Sequence, residues 1–256
     1  ALEIDSIIDI EYGSAINETG TLESVLLDAF FPNNTIDPLD SRPAVVMIHG
    51  GGFSGGQKED RWGECIELAK RGYATFSINY RVGWDQSDPN NQLLAIYRAH
   101  QDANAAIRYI INNSSTFKID TNWIFIGGSS AGAITANNLV YTSQDEYETL
   151  YPGIGNLLGD LHTSTNSLSD NFTIKGVLNN WGAIFTHSIQ ASEILPQVAF
   201  HGESDGVVKI DNSPDGILMG SRAIHNYLLD ENQCSDLTVK PGGGHGVYTN
   251  TNGTIF

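Results

Sequence analysis

The chain has 256 residues, 40% hydrophobic and 17% charged, the balance of an ordinary globular protein that can bury one sizeable core. Its formal net charge of −17 argues against nucleic acid and against an anionic membrane surface as partners, since both are met with basic patches. No apolar run approaches membrane-spanning length, and a chain opening at Ala1 without a signal peptide predicts a mature or trimmed protein.

Residues 4–12 and 22–31 read as strands joined through Asn17-Glu18-Thr19-Gly20, which predicts an N-terminal hairpin. A polar loop with three prolines covers 32–43. Residues 44–48 are a continuous apolar run, as in a buried parallel strand, and end at His49-Gly50-Gly51-Gly52-Phe53. Across 58–71, Trp62, Cys65, Ile66 and Ala69 recur at helical spacing, with Gly72 just past the C-terminus. Residues 73–78 form the next strand, and Gly83, Trp84, Asp85 and Pro89 mark 82–91 as an exposed loop. A long helix is predicted over 92–112, with Leu93, Leu94, Tyr97, Ala103, Ile107, Ile110 and Ile111 in the core.

Trp123-Ile124-Phe125-Ile126 is a further apolar strand, broken by Gly127 and Gly128 and followed by a helical segment through Tyr141. Residues 143–171 are polar with little periodicity and read as an excursion, a small cap or flap over the site. Strands are predicted at 174–181, 195–201 and 237–240, with a helix over 215–229 and a glycine-rich loop at 242–246. Strands alternating with helices after a hairpin give an α/β fold with a mostly parallel sheet covered on both faces, and no linker divides 1–256 into more than one domain. Cys65 and Cys234 either pair as a disulfide or remain thiols. No Cys/His spacing resembles a zinc site, so no metal is expected.

The chemistry converges on Gly128-Ser129-Ser130-Ala131-Gly132. Between a strand and a helix, G-x-S-x-G is a nucleophile elbow: small residues two positions either side let the serine occupy a strained turn. In a chain with 27 glycines the pattern alone is weakly specific, so its partners matter. Ser130 needs a base, and His245 sits in a glycine loop after the last strand. The base needs an orienting carboxylate; Asp205, in His201-Gly202-Glu203-Ser204-Asp205-Gly206, gives the order Ser, Asp, His, with Glu203 and Asp211 as rivals. Backbone N–H groups of Gly51, Gly52 and Ala131 are the candidate oxyanion donors. Phe53, Trp84, Trp181 and His187 are candidate pocket residues. His49 and His201 are read as holding loops by hydrogen bonds, and Arg98 and Asp102 as part of a structural polar network.

Pro43 to Gly56 (PAVVMIHGGGFSGG), SINYRVG, QDANAAIRYI, FIGGSSAGA, HGESDGVV and GGGHG together resemble carboxylesterases of the α/β-hydrolase superfamily, in the branch carrying an HGGG oxyanion motif. The resemblance extends from Leu22 onward. It implies a central eight-stranded sheet, no cofactor, and ester hydrolysis through an acyl-enzyme. Ser129 departs from the pattern, since hormone-sensitive-lipase-like enzymes usually carry Asp there and type-B carboxylesterases Glu. The compact layout is similar to secreted bacterial acetylxylan and feruloyl esterases. That implies short-chain, acetyl or feruloyl ester substrates, small or linked to plant polysaccharide, and a soluble, secreted or periplasmic enzyme. A peptidase or aryl formamidase on the same machinery, or a non-catalytic binding protein of this fold, are the competing expectations.

Overall fold

The computed structural model describes residues 2–33, 35, 37–85, 87, 88, 90–168 and 171–246; Pro89, two residues of the 143–171 excursion and residues 247–256 lie outside these. Strands β1 (Ile4–Ile16) and β2 (Leu22–Pro32) form the expected antiparallel hairpin, and β2 pairs antiparallel with β4 (Ala74–Ile78) beyond β3 (Arg42–Ile48). From there β4, β3, β5 (Ile119–Ser129), β6 (Ile174–Asn180), β8 (Gln197–Gly202) and β10 (Ser235–Lys240) run parallel. The eight-stranded order is β1-β2-β4-β3-β5-β6-β8-β10. Between β6 and β8 lies the short β7 (Ala183–Phe185), and β9 (Leu218–Gly220) pairs antiparallel with it in a separate two-stranded sheet.

The continuous apolar runs are there because the central strands are covered on both faces. On one face α2 (Asn90–Asn112) and α4 (Ala131–Tyr141) bury Val46, Ile48, Ile126 and Val177. On the other, α1 (Trp62–Ala69) buries Cys65 and Ala69 against Phe30, Val45 and Met47. The register aligns Ile48 with Gly128 and Gly128 with Asn179. The carboxyl ends of β3, β5 and β6 are therefore level, and that edge is where open parallel sheets place their ligands.

Three expectations are corrected, and one left open is decided. The helix predicted from 215 begins instead at Ser221, as α7 (Ser221–Asp230). Asp215 Oδ1 accepts the Ile217 N–H at 3.0 Å and Gly216 has φ of 74°, so 213–217 turns and 218–220 is β9. The 82–91 loop is less exposed than expected: Val82, Gly83 and Trp84 are half-buried, and the helix already starts at Asn90. Of the two readings left open for Cys65 and Cys234, both are thiols, one buried and one exposed.

The excursion is the third correction. After α3 (Ser114–Phe117) and the elbow, it forms α5 (Gln144–Leu150) and α6 (Ile154–Leu158). Its described residues pack on α2 and β1, not over the serine. Thr165 O accepts the Ser14 N–H at 2.8 Å, the Asn166 amide donates to Tyr12 O and Ala105 O at 2.9 Å each, and Arg108 donates to Ser164 O at 2.8 Å. Beneath it Arg81 and Asp102, both buried, pair at 2.8 Å, and Thr165 donates to Asp102 at 2.6 Å. Arg98 donates to Gly83 O at 2.6 Å, so both α2 side chains brace loops, as expected of a structural network.

Candidate active site

Ser130 follows β5 and stands at the N-cap position of α4 with φ 53° and ψ −122°, a sparsely populated conformation that costs on the order of 1–3 kcal/mol for a residue with a side chain. The surroundings enforce it. A Cβ on Gly132 would lie 2.2 Å from Ile48 O, and one on Gly128 2.6 Å from the same atom, so β3 can approach only where neither exists. The Ser130 N–H donates to Asn180 O of β6 at 2.9 Å, which fixes the turn from the other side.

His245, from the loop after β10, places Nε2 2.9 Å from Ser130 Oγ and Nδ1 2.7 Å from Asp205 Oδ2. Asp205 is 3% exposed, and its other oxygen accepts the Val207 and Val208 N–H groups at 2.8 and 3.0 Å. A carboxylate acceptor at Nδ1 selects the tautomer protonated there, leaving the Nε2 lone pair toward the serine hydroxyl. The rival carboxylates point elsewhere: Glu203 accepts the Gly242 N–H, and Asp211 pairs with Arg222.

A second imidazole shares Asp205. His201 Nε2 lies 3.2 Å from Asp205 Oδ2 and 3.0 Å from Val208 O, while Nδ1 meets Ser221 Oγ at 2.7 Å. Burial pushes its pKa down, so it is a neutral donor that crosslinks β8, the Asp205 loop and α7. The loop-holding role read from sequence is present; the contact to Asp205 was missed, and its only signal was a histidine four residues before the acid.

Gly51 and Gly52 have φ of 111° and 61°, and a Cβ on Gly51 would lie 2.1 Å from Gly55 O. His49 braces the loop: Nδ1 donates to Gly50 O at 2.6 Å, and the ring stacks on Tyr80 at 4.3 Å. Burial keeps this histidine neutral by lowering its pKa.

Two cavities meet at Ser130. The larger, about 690 Å³, is lined by Gly50, Gly51, Gly52, Trp181 and His245, and by Arg61 and Glu64 opposite. The smaller, about 290 Å³, is lined by Phe53, Trp84, Ala131, Ile134 and Leu218. Trp181 stands edge-on to the His245 ring at 6.4 Å. His187 lines neither cavity; it is exposed and stacks on Phe185 at 6.1 Å. Arg61 and Glu64 are the residues sequence reading passed over, because a charged pair at i,i+3 on an amphipathic segment reads as a solvated face. Burial pushes the Glu64 pKa up to about 7, with Arg61 opposing the rise. Among the described residues no cluster of His, Cys, Asp and Glu is arranged to hold a metal, and no helix is long and apolar enough to cross a membrane.

A mostly parallel eight-stranded sheet, with a serine at a strained strand-to-helix turn on its carboxyl edge, defines the α/β-hydrolase fold. The BD-FAE family model matches residues 27–194, more than half of the chain, and the chain belongs to this family of α/β-hydrolase esterases. Over 110 residues it is 31% identical to fumonisin B1 esterase of Sphingopyxis macrogoltabida, a match covering 40% of this chain and 20% of that protein. Over 109 residues it is 33% identical to isoprenylcysteine alpha-carbonyl methylesterase of Arabidopsis thaliana, covering 42% and 22%. The matches thus span only about a fifth of those relatives. The apo form of Thermogutta terrifontis esterase 2 superposes with a TM-score of 0.68 over 96% of this chain and 85% of that one, at 19% identity, a likeness of fold.

Proposed function

We propose that this chain is a serine carboxylic ester hydrolase, its residues 1–256 acting as one domain. The observation that carries the reading is the unbroken hydrogen-bond chain Asp205–His245–Ser130 at the elbow. Ser130 Oγ attacks the ester carbonyl carbon while His245 Nε2 takes the hydroxyl proton and Asp205 stabilises the imidazolium. The oxyanion is held by N–H groups of Gly51, Gly52 and Ala131 at the start of α4. The tetrahedral intermediate collapses, the C–O bond to the alcohol breaks, and His245 returns its proton to the leaving oxygen. Water then repeats the cycle on the acyl-enzyme, releasing the acid and restoring Ser130.

The two cavities divide the substrate. The leaving oxygen must lie beside its proton donor, so the alcohol belongs in the larger cavity, which His245 lines. The acyl group belongs in the smaller one, between Phe53 and Trp84. Its size and apolar walls favour short acyl or aromatic acyl groups, including acetyl and feruloyl esters carried on plant polysaccharide. The relatives support this chemistry: one is a fumonisin B1 esterase, another an isoprenylcysteine alpha-carbonyl methylesterase, and Thermogutta terrifontis esterase 2 has been seen with butyrate bound and phosphorylated by paraoxon. An acidic surface rich in Asn, Ser and Thr fits a secreted or periplasmic setting.

The test is a panel of p-nitrophenyl acetate, butyrate and laurate, methyl ferulate and acetylated xylan, with wild type beside Ser130→Ala. Turnover of acetate and ferulate esters, lost by on the order of 10⁴-fold or more in the variant, is expected. Activity retained by Ser130→Ala sinks the mechanism, and a wild type inert on every ester sinks the enzyme reading.

A further inference from the structure

The wall of the larger cavity carries a charge pair that ester cleavage itself does not use. Arg61 ends the 3-10 turn Lys58–Arg61, and Glu64 follows at i,i+3 in α1, on the same face. Arg61 is 7% exposed and the Glu64 side chain 13%, and both line the cavity that holds Ser130 and His245. Arg61 Nη1 stands 3.0 Å from Glu64 Oε2, yet among the described residues Nη1 makes no aligned hydrogen bond and Nε has no hydrogen-bond partner. Glu64 Oε1 accepts from Asn180 Nδ2 at 3.2 Å, and Asn180 O is the atom that holds the Ser130 N–H. The pair is thus pinned to the same strand end as the serine.

Nε and Nη1 are themselves closed off from solvent, so Arg61 acts on the contents of the cavity it lines through its charge. The surrounding charges are otherwise engaged. Glu59 pairs with Lys58 at 2.6 Å, and Lys58 is also held by Asp9 of β1 and Asp28 of β2. Asp60 accepts the Gln57 N–H at 3.0 Å. Glu64 faces Arg61 and these acids from the 3-10 turn, the Asn180 amide from β6, the Cys65 thiol beside it in α1, and His245 across the cavity.

We propose that Arg61 and Glu64 determine which leaving alcohols are accepted: the Arg61 charge favours an alcohol that carries a negative charge, and ionised Glu64 offsets that attraction and excludes it. The inference rests on the alcohol lying on the His245 side, as argued above. Its direction with pH follows from burial of Glu64, which holds the carboxyl protonated up to about pH 7. Above that the pair is neutral overall beside further carboxylates, and an anionic alcohol is repelled. Below it Arg61 carries an uncompensated charge, and the anionic alcohol is admitted.

The experiment compares kcat/KM for 4-acetoxybenzoate and its methyl ester between about pH 5.5 and 8.5, a range in which the benzoate is ionised throughout. Both share the acyl group and the nucleophile, so effects of pH on the catalytic machinery itself cancel in the ratio. In wild type the anionic-to-neutral ratio should rise on the order of tenfold as pH falls, through KM rather than kcat, the effect of one like charge a few ångströms away. Glu64→Gln should give a high ratio that no longer varies with pH. Arg61→Gln should lower the ratio at the acid end, with Arg61→Lys restoring part of it. A ratio independent of pH in wild type, or an unchanged curve in Glu64→Gln, overturns the proposal while turnover of the methyl ester leaves the esterase reading standing. No turnover of the methyl ester by wild type overturns both.

Discussion

Replacing Asp205 by Asn isolates the tautomer argument. The amide oxygen can still accept the Val207 and Val208 N–H groups that Asp205 Oδ1 accepts at 2.8 and 3.0 Å, so the loop keeps its backbone anchors. The amide nitrogen then faces His245 Nδ1, where a carboxylate oxygen stood at 2.7 Å. A donor at that position demands an acceptor, so the imidazole proton moves to Nε2 and points at Ser130, which no longer has a base. In a serine-protease triad this tautomer error costs about 10⁴ in kcat, or roughly 5–6 kcal/mol of barrier, and a loss of that size is expected here. His201 Nε2, 3.2 Å from the same oxygen, meets the amide N–H as donor against donor, adding about 1–3 kcal/mol of lost stability. Steady-state turnover of p-nitrophenyl acetate and a urea unfolding curve measure the two effects separately. The matched controls are Glu203→Gln and Asp211→Asn, which should stay within about threefold of wild type, since neither carboxylate meets His245. An Asp205→Asn enzyme folded like wild type and within tenfold of its kcat would refute the reasoning.

Other expectations follow from single contacts. Gly132→Ala forces a methyl against Ile48 O and His49 O at 2.2 and 2.5 Å, both backbone, and should cost upwards of about 2 kcal/mol in urea unfolding; an unchanged midpoint would mean that β3 yields easily. Trp84→Ala opens the smaller cavity and should raise the laurate-to-acetate ratio of kcat/KM about tenfold, whereas an unchanged ratio would place the acyl chain elsewhere. His100 is buried against Tyr147, and burial lowers its pKa to about 3. The unfolded chain binds that proton near the ordinary value, so stability contributed by neutral His100 is complete above about pH 6.5 and is lost as pH falls toward 3, on the order of 3–5 kcal/mol. His100→Gln should shrink the difference between unfolding free energies at pH 7 and pH 4; an equal difference in both proteins would show that other groups dominate acid sensitivity.

The elbow was legible because its glycines answer a steric demand that leaves almost no alternative residue, and the apolar runs 44–48 and 123–126 because burial on both faces removes alternation. Elements too short to express a period were not. Ala183–Phe185 and Leu218–Gly220 have three residues each, and the second was absorbed into a helix that the turn at Asp215 and Gly216 excludes. Helix α5 carried a signal that went unread: Ser143 and Glu146 form a reciprocal capping box, the S-x-x-E pattern of a helix start. Arg61 and Glu64 were hidden for a different reason. Their segment is drawn inward by Lys58, which is 2% exposed among three carboxylates, and nothing in a local pattern announces that a charged turn will become a cavity wall.

The seating of the excursion on β1 has a consequence for the order of assembly. Asn166 joins the carbonyls of Tyr12 and Ala105, and Thr165 takes the N–H of Ser14, so the outer edge of the first hairpin is completed by residues about 150 positions downstream. Contacts of such separation close a long loop and are slow to form. During synthesis the hairpin emerges first, but its β1 edge must wait for residues beyond 160 before docking, long after α2 has been made. Weakening that clasp should therefore be felt chiefly in the speed and yield of folding, leaving the chemistry at the far edge of the sheet intact.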